Sequence, residues 1–487
     1  MIIDNIIYIY DTYGRESMSS IRELQKEIIK IVGPKRVTTE YIDRVFYSRD
    51  LSVDPTELPS MVVLPKTTEE VSKIVKIANK YNAPIFTFGR GSTLLGLKVK
   101  ENSIVISTSG MNKILDINTA SLTVTTEAGA VWLAVNSTLW KQGYELSSQW
   151  HGGVISATLG GAVAANAIAR TSEPGTQVGD TLVGLRVVLP NGEIITTGSA
   201  ANPKSHPFER YTLGPDITGL FIGSSGTFGI ITEVSFRIRR KRKKNVYLSY
   251  AFKDYRDAVA AVEDLQQNEL IQFAILVQGD LPPEKQSLLH IIITGDETIC
   301  NIKKEIADAL CRSHSGTTDN SENARLFWET YYYSWLRGVP TQYYYVRKGV
   351  PYYCPEVNSY FSIRKLPLAY DAFWEYWNEV EKANIEKHRG ILKGIDTFFT
   401  YNGGFIWLDP LFPVQDPEAV KYGFKVRKDM TEKFMELGGC PTAISSSTSQ
   451  LVFSKLGTTY EFMKLLKKAI DPKNLLNPGV LFPEVLE

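Results

Sequence analysis

Between Thr87 and Gly96 the chain reads Thr-Phe-Gly-Arg-Gly-Ser-Thr-Leu-Leu-Gly, and these residue types suit the binding of an anion. Gly89 and Gly91 let the backbone turn tightly and approach a ligand, and successive N–H groups in such a turn form a concavity for negative charge. Ser92 and Thr93 add hydroxyls, and Arg90 between the glycines offers a planar fork that matches a phosphate. No Gly-Lys-Ser/Thr follows, so this is not a Walker loop. No amphipathic helix opens after it, so it is not a dinucleotide fingerprint of the strand-to-helix kind either. A plain turn is the competing reading.

Two further stretches are rich in small residues. His151-Gly-Gly-Val-Ile-Ser-Ala-Thr-Leu-Gly-Gly-Ala-Val-Ala-Ala-Asn-Ala167 would let two backbones, or a backbone and a flat ligand, come into van der Waals contact. A tightly packed helix start reads equally well. The second stretch, Gly214 to Glu233, contains Gly223-Ser-Ser-Gly-Thr-Phe-Gly-Ile-Ile. Metal and thiol chemistry have less support. The five histidines (151, 206, 290, 314, 388) show neither His-x-His nor His-Glu-x-x-His spacing, and the four cysteines form no Cys-x-x-Cys pair. Reduced, buried thiols and no zinc site are expected.

The elements that must position these loops follow from periodicity. Ile21, Leu24, Ile28 and Ile29 at helical spacing predict a helix over 19–32, stopped by Gly33-Pro34. Val62 to Pro65 reads as a strand. Thr67-Thr-Glu-Glu70 then reads as a capping box that opens a helix burying Val71, Ile74, Val75 and Ala78. Ala83 to Phe86 is the next strand, so the glycine loop sits at the C-terminal end of a strand in a strand–helix–strand unit, where ligands gather. Strands are also expected at Ile104–Ile106, Leu122–Glu127 and Leu182–Leu189, with a short helix over Val131–Leu139. Pro190-Asn-Gly192 makes a hairpin to Glu193–Thr197, and a strand follows at Val234–Ile238. A final amphipathic helix covers Tyr460–Ile470, halted by Asp471-Pro-Lys-Asn-Leu-Leu-Asn-Pro-Gly479.

Length and composition bound the rest. A chain of 487 residues, 43% hydrophobic and 22% charged, has room for two or three globular domains. A net charge of +1 gives no field for nucleic acid. No run approaches the ~18 apolar residues of a membrane span. Met1 to Tyr10 is apolar but lacks a basic start and carries Asp4, unlike a secretory signal. With Met18 opening the first helix, residues 1–17 are expected to be a loose extension or the product of an upstream start codon. The rest divides into 18–240, 245–440 and a C-terminal segment, 441–487. At the first boundary, Arg237 to Lys244 holds seven basic residues in eight. It reads as a solvated linker, or as a patch for an anionic membrane surface. The 245–440 region crowds its tyrosines and tryptophans between residues 327 and 377, as core or as a ring-lined pocket.

In this order, these pieces resemble the FAD-linked oxidases whose flavin domain is of the p-cresol methylhydroxylase type, a family that includes vanillyl-alcohol oxidase and the glycolate and D-lactate dehydrogenases. The matching segments are Pro59–Pro65 with its following helix, Gly89–Thr93, Ala157–Gly161 with Gly223–Glu233, and Asp471–Gly479. The resemblance implies an α+β fold: a two-part flavin domain with the tail returned to it, under an α+β cap with its own antiparallel sheet. It also implies FAD, held non-covalently, since the first loop lacks the His to which some relatives tether the flavin; His151 is the one alternative tether.

Carried over, the flavin contacts fall on Thr87, Phe88, Gly89, Arg90, Gly91, Ser92 and Thr93. They continue on His151, Gly152, Gly153, Ser156, Ala157 and Thr158, then on Gly160, Gly161, Ala164, Asn166 and Ala167. The last set is Ser225, Gly226, Thr227, Gly229, Ile230, Ile231 and Asn477. Two departures matter. Ser225 stands where many relatives have Glu, and Pro441 to Gln450 holds no histidine where the hydroxy-acid branch carries one.

Flavin oxidation needs a base and an anchor for the substrate's charge. His388 and His151 are candidate bases, Arg337, Arg347 and Arg364 candidate anchors, with Tyr401, Tyr343 and Tyr345 behind them. No metal is expected. The resemblance therefore implies an enzyme oxidising a CH–OH group of a small alcohol or 2-hydroxy acid, with a phenolic substrate, or alkyl transfer without net redox, as alternatives. Its electron acceptor would be oxygen, a quinone or a protein. The expected location is cytoplasmic, with peripheral membrane contact and a homo-oligomer both open.

Overall fold

Val71, Ile74, Val75 and Ala78 are fully buried along one face of helix α3 (Thr68–Tyr81), the third of three that open the chain. The first two are α1 (20–32) and the short α2 (Tyr41–Tyr47). The structure is a computed structural model. It describes residues 20–482 apart from 94–95, 149–152, 169–170, 174, 176, 279–285, 333–343, 348–349, 354, 356, 381–390, 443 and 445–446. The N-terminal extension expected over 1–17 lies outside the described residues.

Helix α3 starts where the sequence says: Thr67 Oγ1 accepts the N–H of Glu70 at 3.1 Å. The reciprocal half of the capping box is displaced by one residue, because Glu70 Oε2 accepts the N–H of Lys66. Its two oxygens also grip Arg36 in a fork at 2.6 and 2.8 Å. Asn82, in a left-handed conformation, ends the helix.

Three sheets carry the molecule. The first has strands β1 (Val37–Thr38), β2 (Met61–Val63), β3 (Ile85–Phe88) and β4 (Ile104–Ser107), in the order β1-β2-β4-β3, with β2, β4 and β3 parallel. Its central strands are buried on both faces, and this is why they read as unbroken apolar runs. The second is antiparallel: β5 (Ile114–Asn118), β6 (Thr123–Glu127), β7 (Tyr144–Leu146), β8 (Leu182–Val188), β9 (Ile194–Thr196) and β10 (Ile230–Arg240), with β10 at its centre. Helices α4 (Trp132–Trp140) and α5 (Leu159–Ala164) pack on it. Strand β5 was not foreseen; half-buried and interrupted by Asp116, it lacks an apolar run.

The third sheet has nine strands, beginning with β11 (Lys244–Phe252), β12 (Phe273–Gln278), β13 (Ser287–Gly295) and the edge strand β14 (Thr317–Thr318). Strands β15 (Tyr344–Arg347), β16 (Val350–Tyr353), β17 (Val357–Ser362), β18 (Ile391–Thr400) and β19 (Gly403–Pro413) complete it, every pairing antiparallel. Side chains alternate across it. Ala274, Leu276, Ile291, Phe399 and Ile406 point to four helices: α6 (Tyr255–Gln267), α7 (Glu297–Ser313), α8 (Leu366–Val380) and α9 (Pro417–Glu436). Phe273, Ile275, Ile292, Phe398, Phe405 and Trp407 point the other way, into a separate aromatic cluster. The chain is thus an α+β protein, with the first two sheets in its first half and the nine-stranded antiparallel sheet in its second.

The basic run is a correction. It is not a free linker: β10 continues to Arg240 and β11 starts at Lys244. Arg237 pairs with Glu209, Arg239 with Glu145 and Glu173, Arg242 with Glu173, Lys243 with Asp296 and Lys244 with Glu297. Arg240 and Lys241 lie over the rings of Tyr144 and Trp140. The run reads as unmatched charge only because its acids come from distant parts of the chain.

Candidate functional site

A cleft of about 840 Å³ of empty space, mouth included, opens among the three small-residue stretches and the C-terminal tail. The first loop contributes Thr87, Phe88, Gly89, Gly91 and Thr93 at the C-terminal end of β3. Gly91 has φ +62°, a conformation that side-chain-bearing residues rarely adopt. Among the described residues, the amides of Arg90, Gly91 and Ser92 have no hydrogen-bond partner within the chain, which leaves them as donors for a ligand.

The second stretch resolves the choice between tight packing and ligand contact in favour of both. A Cβ on Gly160 would lie 2.6 Å from the Cβ of Ala128, and the amides of Leu159 and Gly160 donate to the carbonyls of Ala130 and Ala128. Helix α5 is therefore pressed onto the second sheet. From it Gly160, Gly161, Ala164 and Ala165 floor the cleft. Thr158 caps the helix, accepting the N–H of Gly161, and its hydroxyl would be 2.5 Å from a Cβ on Gly89.

The third stretch docks on the end of the same helix. The amides of Gly223 and Ser225 donate to the carbonyls of Val163 and Ala164 at 3.0 and 2.8 Å. Ser225 is left-handed (φ 48°), and Ser225, Gly226, Gly229, Ile230 and Ile231 line the cleft.

What joins the first loop to the third is the tail. Leu476 forms a parallel bridge with Ile85, so the tail adds an edge to the first sheet beside β3. Asn477 then reaches both loops. Its Oδ1 accepts the N–H of Thr87 at 2.9 Å, and its Nδ2 donates to Thr87 Oγ1 and to the carbonyl of Ser225 at 3.0 and 2.8 Å. A Cβ on Gly226 would sit 2.4 Å from that Nδ2. Beneath this clasp, Lys467 on helix α10 (Thr458–Ile470) is paired at 2.5 Å with Asp471, both side chains 1% exposed. Lys467 Nζ also donates to the carbonyls of Thr227 and Leu476, and Asp471 accepts the amides of Leu475 and Leu476. Burial pushes the lysine's pKa down, and Asp471 opposes that.

Of the expected contacts, Arg90, Ser92, Gly153, Ser156, Ala157, Thr158, Asn166, Ala167 and Thr227 do not line the cleft. His151, Gly152, Arg337, Tyr343 and His388 lie outside the described residues. Arg347 is placed by its backbone, in β15, as Tyr345 is. Arg364 is 82% exposed and paired with Glu263 on α6, and Tyr401 is 39% exposed at the β18–β19 turn; the fold brings neither to the cleft. Among the described residues no cluster of His, Cys, Asp and Glu is arranged to hold a metal ion, and no helix is long and apolar enough to cross a membrane.

Asp50, Gly96, Leu97, Thr108 and Val480 also line the cleft and were not foreseen. Asp50 comes from the irregular stretch between α2 and β2. It is in fact buried, with its carboxyl accepting the amides of Ser52 and Gly96, and burial pushes its pKa up.

The chain passes from the cleft's floor to the aromatic face of the cap within a few residues. Past Ala164 and Ala165, Ile168 packs on that cluster. Ser172 then donates from its amide to the carbonyl of Gln272 and from its hydroxyl to that of Phe399, at 2.7 and 2.8 Å. On this face His290 stacks on Phe327 with ring centroids 3.7 Å apart, and its Nδ1 is 2.7 Å from Ser249 Oγ. Burial pushes its pKa to about 3, far below the range useful to a base near neutral pH.

Partnerless loop amides, a floor of small residues and an aromatic-faced cap at one end fit a dinucleotide carrying a flat ring. Comparisons with known proteins agree. Residues 59–198 match the FAD binding domain, and residues 241–481 match the C-terminal domain of FAD linked oxidases. The chain is 24% identical to the mitochondrial D-lactate dehydrogenase [cytochrome] of Arabidopsis thaliana, over 96% of this chain and 83% of that protein. It is 25% identical to the glycolate oxidase subunit GlcD of Bacillus subtilis, over 95% and 97%. The structure of p-cresol methylhydroxylase with substrate bound superposes with a TM-score of 0.77 at 17% identity, covering 95% of this chain and 97% of that one. With its fold, its cleft and both halves of its sequence in agreement, the chain belongs to the FAD-linked oxidase superfamily and is an enzyme that uses FAD.

Proposed function

We propose that this enzyme oxidises the CH–OH group of a small alcohol or 2-hydroxy acid, and that the glycine cleft holds its FAD. The bound flavin would supply the chemistry, accepting a hydride from the substrate carbon. The chain's own contribution is positional. Loop amides at 90–92 would meet the pyrophosphate, Asn477 would fix the spacing of the two glycine loops, and the floor at Gly160–Ala165 would admit the ring.

The observation that supports this reading is the short path from the cleft to the cap: Ala164 and Ala165 line the cleft, Ile168 packs on the cap's aromatic cluster, and Ser172 donates to the carbonyl of Phe399. A substrate held on that face would lie at the inner end of the cleft, screened from water by both units. The full-length similarity to D-lactate and glycolate enzymes favours a hydroxy acid. The ring-rich face (Phe273, Phe398, Phe405, Trp407) favours the second reading, a phenolic or benzylic substrate.

Anaerobic titration of the FAD-loaded protein with D-lactate, glycolate and vanillyl alcohol tests both. Bleaching of the flavin's visible band by either acid supports the first, and bleaching by vanillyl alcohol alone supports the second. A flavin that dithionite reduces but no member of the panel bleaches would contradict both and turn attention to alkyl transfer.

A further inference from the structure

We infer that Arg427, on helix α9 of the cap, is a positioning residue for the cofactor cleft, acting through a buried ion pair with Asp54 on the strap that braces the first glycine loop. The strap, residues 48–57, has no regular structure and runs alongside the loop. The amide of Leu51 donates to the carbonyl of Thr93 at 2.9 Å, and the amide of Gly96 donates to Asp50 Oδ2 at 2.8 Å. Thr93, Gly96 and Asp50 all line the cleft. The strap is itself tied along its length. Asp50 Oδ1 accepts the amide of Ser52, Ser52 Oγ accepts that of Asp54, and Thr56 Oγ1 donates back to the carbonyl of Ser48.

Asp54 is where this strap meets the cap. Its Oδ2 is 3.4 Å from Arg427 Nη1, with the two side chains 3% and 4% exposed. The same Nη1 donates to Ser447 Oγ at 3.1 Å, so one guanidinium joins the strap, the cap and the C-terminal segment. Helix α9 cannot drift to follow a moving strap. Its Gly423 is pressed against Tyr353 and Phe412 so closely that a Cβ there would come within 2.3 Å of the Tyr353 hydroxyl, and Val426 and Met430 are buried in the cap core. The pair is not one that stability alone explains, since a buried ion pair of this kind is often replaceable by apolar residues at no cost. Losing one partner is different: the other charge is left buried, and the strap, the softer of the two anchors, must move to reach water. Asp50 and Leu51 move with it, and so does the 91–96 arm of the loop.

The inference rests on the cleft being the FAD site, and the experiment separates the two. FAD affinity is measured by flavin fluorescence on apo-protein, well below the unfolding temperature, for Asp54→Asn, Arg427→Met, Arg427→Lys and the Asp54→Asn/Arg427→Met double variant. Gly226→Val is the reference for the site, and Arg256→Gln, which breaks an exposed ion pair with Asp371 on the cap, is the control. Each charge-removing variant is expected to weaken FAD binding by about tenfold or more. The double variant should be no weaker than the worse single one, because both remove one interaction. Arg427→Lys should recover most of the loss, and Arg256→Gln should match the wild type. Affinities within about twofold of wild type for Asp54→Asn and Arg427→Met, beside loss of binding in Gly226→Val, would overturn this role and leave the site standing. Additive losses in the double variant would also overturn it. Normal binding by Gly226→Val would instead remove the site on which the role depends. Should Arg427→Met fail to fold, the nearly isosteric Asp54→Asn decides.

Discussion

The cofactor cleft and the inner face of the cap sheet are linked through Ala165 and Ile168, yet they are built from different materials. The cleft is made by backbone: loop amides, glycines in left-handed turns, and a helix floor that a single methyl at position 160 would lift off its sheet. The face of the cap is made by side chains, rings set out by strand alternation. A backbone site tolerates few residue types, so its sequence is constrained. A side-chain surface can exchange one ring or chain for another and keep its fold, so it can change substrate while the cofactor stays. The same molecule therefore declares its cofactor plainly and its substrate faintly.

The contrast can be broken in several places. The largest effect is expected at the clasp under the cleft. Lys467→Met leaves Asp471 buried and unpaired, and should cost about 3–5 kcal/mol, read as a lower midpoint in denaturant, together with weaker FAD binding. A loss below about 1 kcal/mol would mean that the tail is held by its strand pairing alone.

His290 offers a titration on the cap side. Its folded-state pKa of about 3 lies under the ordinary 6.5, so between those values the unfolded chain binds a proton that the folded chain refuses. Its contribution is fully present above pH 6.5 and shrinks as the pH falls toward 3, by up to about 1.4 kcal/mol per unit. Unfolding at about pH 5 and about pH 7 should therefore differ by roughly 2 kcal/mol more in the wild type than in His290→Gln. Equal differences would show that the ring is not kept neutral by burial.

Tyr360→Phe separates the two regions. Tyr360 packs on the aromatic cluster and does not line the cleft. FAD affinity should stay within about twofold, while flavin reduction by substrate changes by roughly threefold to tenfold. A change in FAD affinity instead would place the cap face among the cofactor's contacts. The smallest effect concerns the basic run: with five of its seven charges paired with acids and the other two laid over rings, binding to anionic vesicles at about 150 mM salt should be no greater than to neutral ones. Strong sedimentation with anionic vesicles would contradict that accounting.

Much of the cofactor unit was legible from sequence because its signals are local. The cap at Thr67, the buried face of α3, the Asn-Gly hairpin and the glycine turns each depend on neighbours within a few residues. The long-range partners were not legible. Asp471 reads as a helix stop, and nothing near it says that Lys467 is its partner in a buried pair that shapes the tail. Asp50 and Asp54 carry no local signal of their burial: the partner of Asp50 is Gly96, and that of Asp54 is Arg427, 373 residues away. The basic run misled for the same reason. On the cap, Arg364 and Tyr401 were chosen by residue type, and three-dimensional placement puts them on the surface.

The central claim is that one FAD lies between the two glycine loops that Asn477 ties together. Titrating FAD into apo-protein of the wild type and of Gly226→Val tests it most directly, since the new side chain would occupy the space of the Asn477 amide and the Thr87 hydroxyl. The account predicts one FAD per wild-type chain and none held by a folded Gly226→Val; equal stoichiometry and affinity in the two proteins would contradict it.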